Sequence, residues 1–177
     1  MAADTTTSRN PDARFLVAHP AHFIALGFGA GLAPKAPGTF GTLVGWALFW
    51  ILAQAIPPFF VAFVAIPLFF LGIWACEVTG RHLGVQDHGA MVWDEVVAFL
   101  PLVAFATVAA PSLLMQLVAF GLFRLFDIWK PFPIRYFEQR LKGGFGVMFD
   151  DLIAAAYAYA VILFLVVAAH KLLRGIT

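Results

Sequence analysis

Charge is what this chain of 177 residues has least of: ten acidic and eleven basic side chains make up 12% of it, about half the share of an ordinary soluble domain. That deficit excludes a conventional water-facing surface. With 62% hydrophobic residues and a mean hydropathy of +0.90, the composition is that of an integral membrane protein rather than a soluble helical domain. Cysteine is nearly absent too. Cys76 stands alone, which rules out an internal disulfide framework and any CxxC metal or redox motif. A net charge of +1 leaves no basic field for a nucleic-acid partner. The opening MAADTTTSRNPDAR carries two acidic residues and no apolar core, so neither a secretory signal nor a transit peptide is expected there. Residues 1–14 read as a polar, flexible tail on a single domain spanning 1–177.

What is present is a series of apolar runs, near 40–56, 58–76, 96–110, 112–126 and 152–169, each close to or slightly below the ~20 residues of a spanning helix. The expected fold is all-α: a polytopic membrane bundle of about five hydrophobic helices plus short interfacial helices. Pro57 with Pro58, and Pro111 with Ser112, separate consecutive runs as prolines at helix starts do. Pro67 and Pro101 fall inside runs and are expected to kink them. The connections at Pro57–Pro58 and Ala110–Pro111 carry no ionisable residue, so both fit one face of the membrane. Glu77, Asp87, Asp94, Glu95, Asp127, Glu138, Asp150 and Asp151 then share the other face, together with most of the basic residues, and the positive-inside bias makes that face cytoplasmic. Only Lys171 and Arg174 would lie opposite, and they break the bias if the fifth helix crosses fully.

Four of the carboxylates form adjacent pairs, in WDEV and FDDL, and each pair abuts an apolar segment. One such pair is ordinarily a helix-start anion favoured by the helix dipole by ~0.3–1 kcal/mol. Two pairs converging beside lipid are harder to account for, since carboxylates about 4 Å apart repel by ~1–4 kcal/mol at surface dielectrics. A hard divalent cation reconciles them, and an oxygen-rich, cysteine-free set suits Mg²⁺ leaning on a substrate phosphate.

Other signals point to phosphate. In GLAPKAPGTFGT, Gly38 and Gly41 free the backbone, Thr39 or Thr42 can cap the first long helix, and Lys35 stands nearby, so the exposed amides of a helix start could hold a phosphoryl group. The same stretch is equally an ordinary proline-glycine connector, because it matches neither GxGxxG nor GxxxxGK[ST]. Arg124, Asp127 and Lys130 follow at spacings of three, able to flank an anion or to form a salt-bridge ladder. Trp129, Phe132, Tyr136 and Phe137 fit an interfacial aromatic belt.

The segments GFGAGLAPKAPGTFGT, DHGAMVWDEVV, FDIWKPFPI and GGFGVMFDD resemble, in order, the four signature blocks of the phosphatidylglycerophosphatase A family, over roughly His19 to Ala155. Ala98 and Ala155 stand where glycine is expected in that family, and Thr42 where serine is usual. The resemblance implies an all-helical, Mg²⁺-dependent phosphatase of the bacterial inner membrane. Its substrate would be phosphatidylglycerophosphate, hydrolysed to phosphatidylglycerol and phosphate. Taken with the residue pattern, Asp94, Glu95, Asp127, Asp150 and Asp151 are the expected ligands of one or two Mg²⁺ ions. Glu77 and Asp87 are expected as outer ligands or a general base. Lys130, Lys35 and Arg124 would neutralise phosphoryl oxygens. Water attack and an aspartyl-phosphate intermediate both remain open.

The alternative from another class is an ion-coupled transporter or channel, but such proteins place ionisable groups mid-helix, and here they gather at helix ends. A synthase using a CDP-alcohol would need its DGxxAR signature, which is absent. A thiolate route fails on CEVTGR, where only four residues separate Cys76 from the arginine, and His82 and His88 lack the surroundings of a phosphohistidine site. Cys76→Ser is therefore expected to keep nearly full phosphate release in a detergent assay, while loss of turnover would make the thiol the nucleophile.

Overall fold

The computed structural model describes residues 10–174, which are helical throughout apart from their connections. The polar stretch 1–9 lies outside the described residues, and the first helix begins at Ala13. Helices α1 (Ala13–Ala18) and α2 (Pro20–Ala25) and a 3-10 segment (Gly27–Leu32) lead into α3 (Pro37–Leu52) and α4 (Pro58–Leu83). They are followed by α5 (Trp93–Ala109), α6 (Leu113–Trp129), the short α7 (Ile134–Arg140) and α8 (Gly143–Arg174).

Local chemistry sets most boundaries. Pro20, Pro37 and Pro58 open α2, α3 and α4, positions at which the missing N–H costs nothing. Ser112 caps α6 by accepting from the Met115 N–H at 3.2 Å, and Gly84, left-handed, closes α4. The five long helices stand where five apolar runs were expected, with different limits. Helix α4 continues past Cys76 through the polar EVTGRHL to Leu83, and α5 and α4 run on through Pro101 and Pro67. Helix α8 begins at Gly143 rather than beside Leu152, because a distant group, the Glu77 carboxylate, accepts its Gly144 N–H at 2.8 Å. A helix start stabilised by another helix leaves no local signal.

Helix α5 is the centre of the bundle and touches α3, α4, α6 and α8. Its run VVAFLPLVAFA is apolar on every side, as a helix with neighbours all round must be, and Val96 to Leu100 are buried without exception. Outer faces are also apolar. On α4, Phe59, Phe63, Ile66 and Phe70 are exposed, and on α8 Phe164 is 71% exposed, a distribution that hydrocarbon surroundings satisfy. One polar chain runs through the interior: Trp46 donates to Gln116 Oε1 at 2.7 Å, and Gln116 donates to Thr107 Oγ1 at 3.0 Å, linking α3, α6 and α5.

This is an all-helical membrane protein. Helices α4 and α8 are long and apolar enough to cross a bilayer. Helices α3, α5 and α6, of 16, 17 and 17 residues, reach about 25 Å at ~1.5 Å per residue, short of a ~30 Å hydrocarbon core.

Close approach of α3 to α5 depends on Gly45, where an added Cβ would stand 2.7 Å from the Val96 carbonyl oxygen. Gly45→Leu should force the two helices apart and destabilise the fold by about 1–3 kcal/mol. The measurement is the thermal midpoint in detergent, and an unchanged midpoint would show that the contact carries no weight.

Candidate active site

Helices α3, α5 and α8 start at the end of the bundle where α4 and α6 finish, and the functional side chains collect there. Asp94 and Glu95 lie in the first turn of α5. Asp150 and Asp151 lie about two turns inside α8, so the FDDL pair is not a helix-start feature. Arg124 and Asp127 come from the last turns of α6, and Lys130 caps it in a left-handed conformation.

One oxygen from each of Asp94, Asp150 and Asp151 lies within 4.8 Å of the others. Asp151 also faces Asp127 and Glu95. Neither adjacent pair is more than 9% exposed. Two cations answer these five carboxylates. The Arg124 guanidinium is 2.7 Å from Asp127 Oδ2 and 3.5 Å from Glu95 Oε1, while Lys130 Nζ is 2.7 Å from Asp150 Oδ2 and 2.7 Å from Glu138 Oε1. Burial works against the charged ammonium, but Asp150 and then Glu138 outweigh it and hold the Lys130 pKa above that of an ordinary lysine. Negative charge remains in excess. Asp94 Oδ1, Glu95 Oε2, Asp150 Oδ1 and Asp151 Oδ2 are buried with no hydrogen-bond partner among the described residues, a state that is costly unless a positive group completes it.

The donor set fits a hard divalent cation. Carboxylate oxygens are what Mg²⁺ takes, and Asp94, Asp150 and Asp151 offer one each within 4.8 Å of the others. Asp94, Asp150 and Asp151 are the residues placed to hold such an ion, with Glu95 and Asp127 beside them.

Helix α3 contributes differently from expectation. Neither Thr39 nor Thr42 caps it: Ala36 holds the N-cap position without a side-chain bond, and Pro37 follows. Thr42 turns inward, donating to the Gly38 carbonyl at 2.9 Å and meeting Arg124 at 3.5 Å. Gly38 is buried where a Cβ would collide with Glu95 Oε1 and crowd the Arg124 guanidinium, so the start of α3 abuts the acidic cluster. Thr39 is half-buried. Lys35 is exposed on the preceding connection and forms no ion pair with a described residue.

Glu77 spends its carboxylate elsewhere, on Arg81 at 2.7 Å and the Gly144 N–H, which makes it a fastener between α4 and α8. Asp87 lines a cavity of about 230 Å³ with Glu138, Lys142 and Asp150. Although water reaches it, partial desolvation there raises its pKa above the usual carboxylate range, with Lys130 opposing and Glu138 adding to the rise. His88 does not orient Asp87 through Nδ1, which accepts the Ala90 N–H at 3.1 Å. Two further groups escaped the sequence reading. Glu138 shares Lys130 with Asp150, and the 2.7 Å bond between the His22 and His82 rings fastens α2 to α4. Neither is announced by spacing along the chain.

Fold and site together define an all-helical membrane protein with a buried carboxylate centre at one end of its bundle. Residues 23–166 match the family model of phosphatidylglycerophosphatase A. A protein of Haemophilus influenzae named phosphatidylglycerophosphatase A is 46% identical over 159 residues, 88% of this chain and 94% of its own length. One of Escherichia coli with the same name is 36% identical over 154 residues, 86% of this chain and 87% of its own. A Bacteroides thetaiotaomicron protein, provisionally named a phosphatidylinositol-3-phosphatase, is 37% identical over 149 residues, 78% and 89% of the two chains. No solved structure matches the chain. The chain belongs to the phosphatidylglycerophosphatase A family and is a phosphatase, which sets aside the transporter alternative.

Breaking the Lys130–Asp150 pair from the cationic side leaves a buried carboxylate uncompensated. Lys130→Met should therefore cost about 3 kcal/mol of stability, and the further change Asp150→Asn should recover most of it. Unfolding of both variants and of Asp150→Asn alone in detergent measures the coupling, and a double-variant loss equal to the sum of the two single losses would show none.

Proposed function

We propose that this enzyme hydrolyses the phosphomonoester of phosphatidylglycerophosphate, giving phosphatidylglycerol and inorganic phosphate, in a Mg²⁺-dependent reaction at the cytoplasmic face of a bacterial inner membrane. The observation that carries the reading is the convergence of Asp94, Asp150 and Asp151 within 4.8 Å, buried and with unpaired oxygens. The relatives' names supply the headgroup. The bundle crosses the membrane with all five long helices, the three shorter ones reaching across by local thinning of the bilayer. Its polar end faces the cytoplasm, a placement supported by the basic residues there.

In this reading water attacks phosphorus, the bond from phosphorus to the glycerol oxygen breaks, and that oxygen leaves with a proton. Arg124 and Lys130 contact non-bridging phosphoryl oxygens and balance their charge. The amides at the start of α3 meet the same group from the Gly38 side. Asp87, on the cavity rim with its raised pKa, is placed to take a proton from the entering water. The bound ion supplies charge neutralisation at the phosphoryl group and acidifies water.

The test is phosphate release from phosphatidylglycerophosphate by protein purified in detergent. Mg²⁺ should be required, excess chelator should abolish turnover, and Asp94→Asn or Asp151→Asn should lower kcat at least ~100-fold with the thermal midpoint preserved. Full activity in chelator would remove the ion from the mechanism, and faster release from phosphatidylinositol 3-phosphate would reassign the headgroup.

A further inference from the structure

An apolar groove of about 620 Å³ opens between α4, α5 and α8, within the ~300–1,000 Å³ of typical ligand sites. Ala62 of α4, Pro101 and Phe105 of α5, and Leu152, Ala156 and Tyr159 of α8 help line it, and the Tyr159 hydroxyl is the single polar side-chain group in its wall. Small residues make the space. Ala62, Ala104, Ala155 and Ala156 line it where larger side chains would fill it, and the Phe105 and Tyr159 rings meet 4.0 Å apart between centroids.

Its position relative to the active site is decisive. Leu152 follows Asp151 directly, so the α8 wall starts at the acidic pair and runs about 12 Å to Tyr159 at ~1.5 Å per residue. On α5 the wall begins about two turns beyond Asp94, at Pro101, and reaches Val108, about 21 Å from it. For a molecule whose phosphoryl group meets Lys130 at that centre, this groove is apolar wall lying further along α5 and α8, toward the membrane interior. The groove is too small for a partner helix, which is ~10–12 Å across with its side chains.

We infer that this groove holds an acyl chain of the lipid substrate and sets the enzyme's preference for chain length. The inference rests on the phospholipid reading above and adds to it the residues that recognise the tail. Ala156, exposed on the groove wall, is the position at which bulk can enter without disturbing the core.

Two measurements separate the tail site from the headgroup reading. In the first, Ala156→Phe and Ala62→Leu should each lower kcat/KM for dioleoyl phosphatidylglycerophosphate by ~10-fold or more while leaving the dihexanoyl form unchanged. Val167→Phe, exposed on α8 about three turns beyond Ala156 and outside the groove, should change neither. In the second, phosphatidic acid with a photoreactive group at the end of one acyl chain should crosslink to α5 and α8 around Phe105 and Tyr159, and Ala156→Phe should suppress that crosslinking. Turnover with crosslinks elsewhere would overturn the groove and leave the activity standing. Crosslinks in the groove without hydrolysis of phosphatidylglycerophosphate would do the reverse. Equal losses on long and short chains, or a detergent-purified dimer that becomes a monomer in Ala156→Phe, would also overturn the tail site, the latter assigning the groove to a second copy.

Discussion

Surplus negative charge, held out of water at one end of the bundle, is the constraint on which the rest of this structure depends. Five carboxylates from three helices meet two cations, and several of their oxygens have no hydrogen-bond partner among the described residues. In a chain with so few ionisable residues, such a concentration is maintained against both mutual repulsion and desolvation. Helix direction makes it achievable. Each long helix runs opposite to the one before it, so the starts of α3, α5 and α8 and the finishes of α4 and α6 share one level, and residues far apart in sequence reach one another without a charge entering the apolar middle.

Much of that was legible from local pattern. The apolar runs and the prolines between them foretold five long helices, because hydrophobic continuity and a missing N–H are properties of short segments. The WDEV and FDDL pairs, with FRLFDIWK, already suggested a shared centre, and Asp94, Asp150 and Asp151 do meet. What the sequence hid was decided between helices. Glu77 read as an acid beside the others, yet it holds the first turn of α8. Thr42 read as a cap, whereas its hydroxyl returns to the Gly38 carbonyl and meets Arg124. Lys130 read as flanking an anion or forming a ladder with Asp127, and its reach across to Asp150 on α8 and Glu138 on α7 was not foreseen. Ion pairs and caps between distant segments have no period to detect.

The packing reverses the soluble pattern without abandoning its rules. Helix α5 is apolar because protein surrounds it, α4 and α8 are apolar outside because lipid does, and the hydropathy of the sequence does not distinguish the two causes. One set of interior polar groups is satisfied from within. Trp46, Gln116 and Thr107 bond in sequence across three helices, since hydrocarbon offers them nothing else.

The fastening of α8 at its beginning has a consequence for how the protein fits its bilayer. Glu77 and Lys130 fix the first two turns of α8, whereas the helix beyond Asp151 runs another 23 residues to Arg174, with Phe164, Leu165 and Val167 facing outward along it. Residues added to or removed from that distal half alter the thickness of membrane the chain can match and leave the geometry of the carboxylates untouched. One extremity carries the carboxylates and the other sets the span, so the same chemistry can be carried into membranes of different depth.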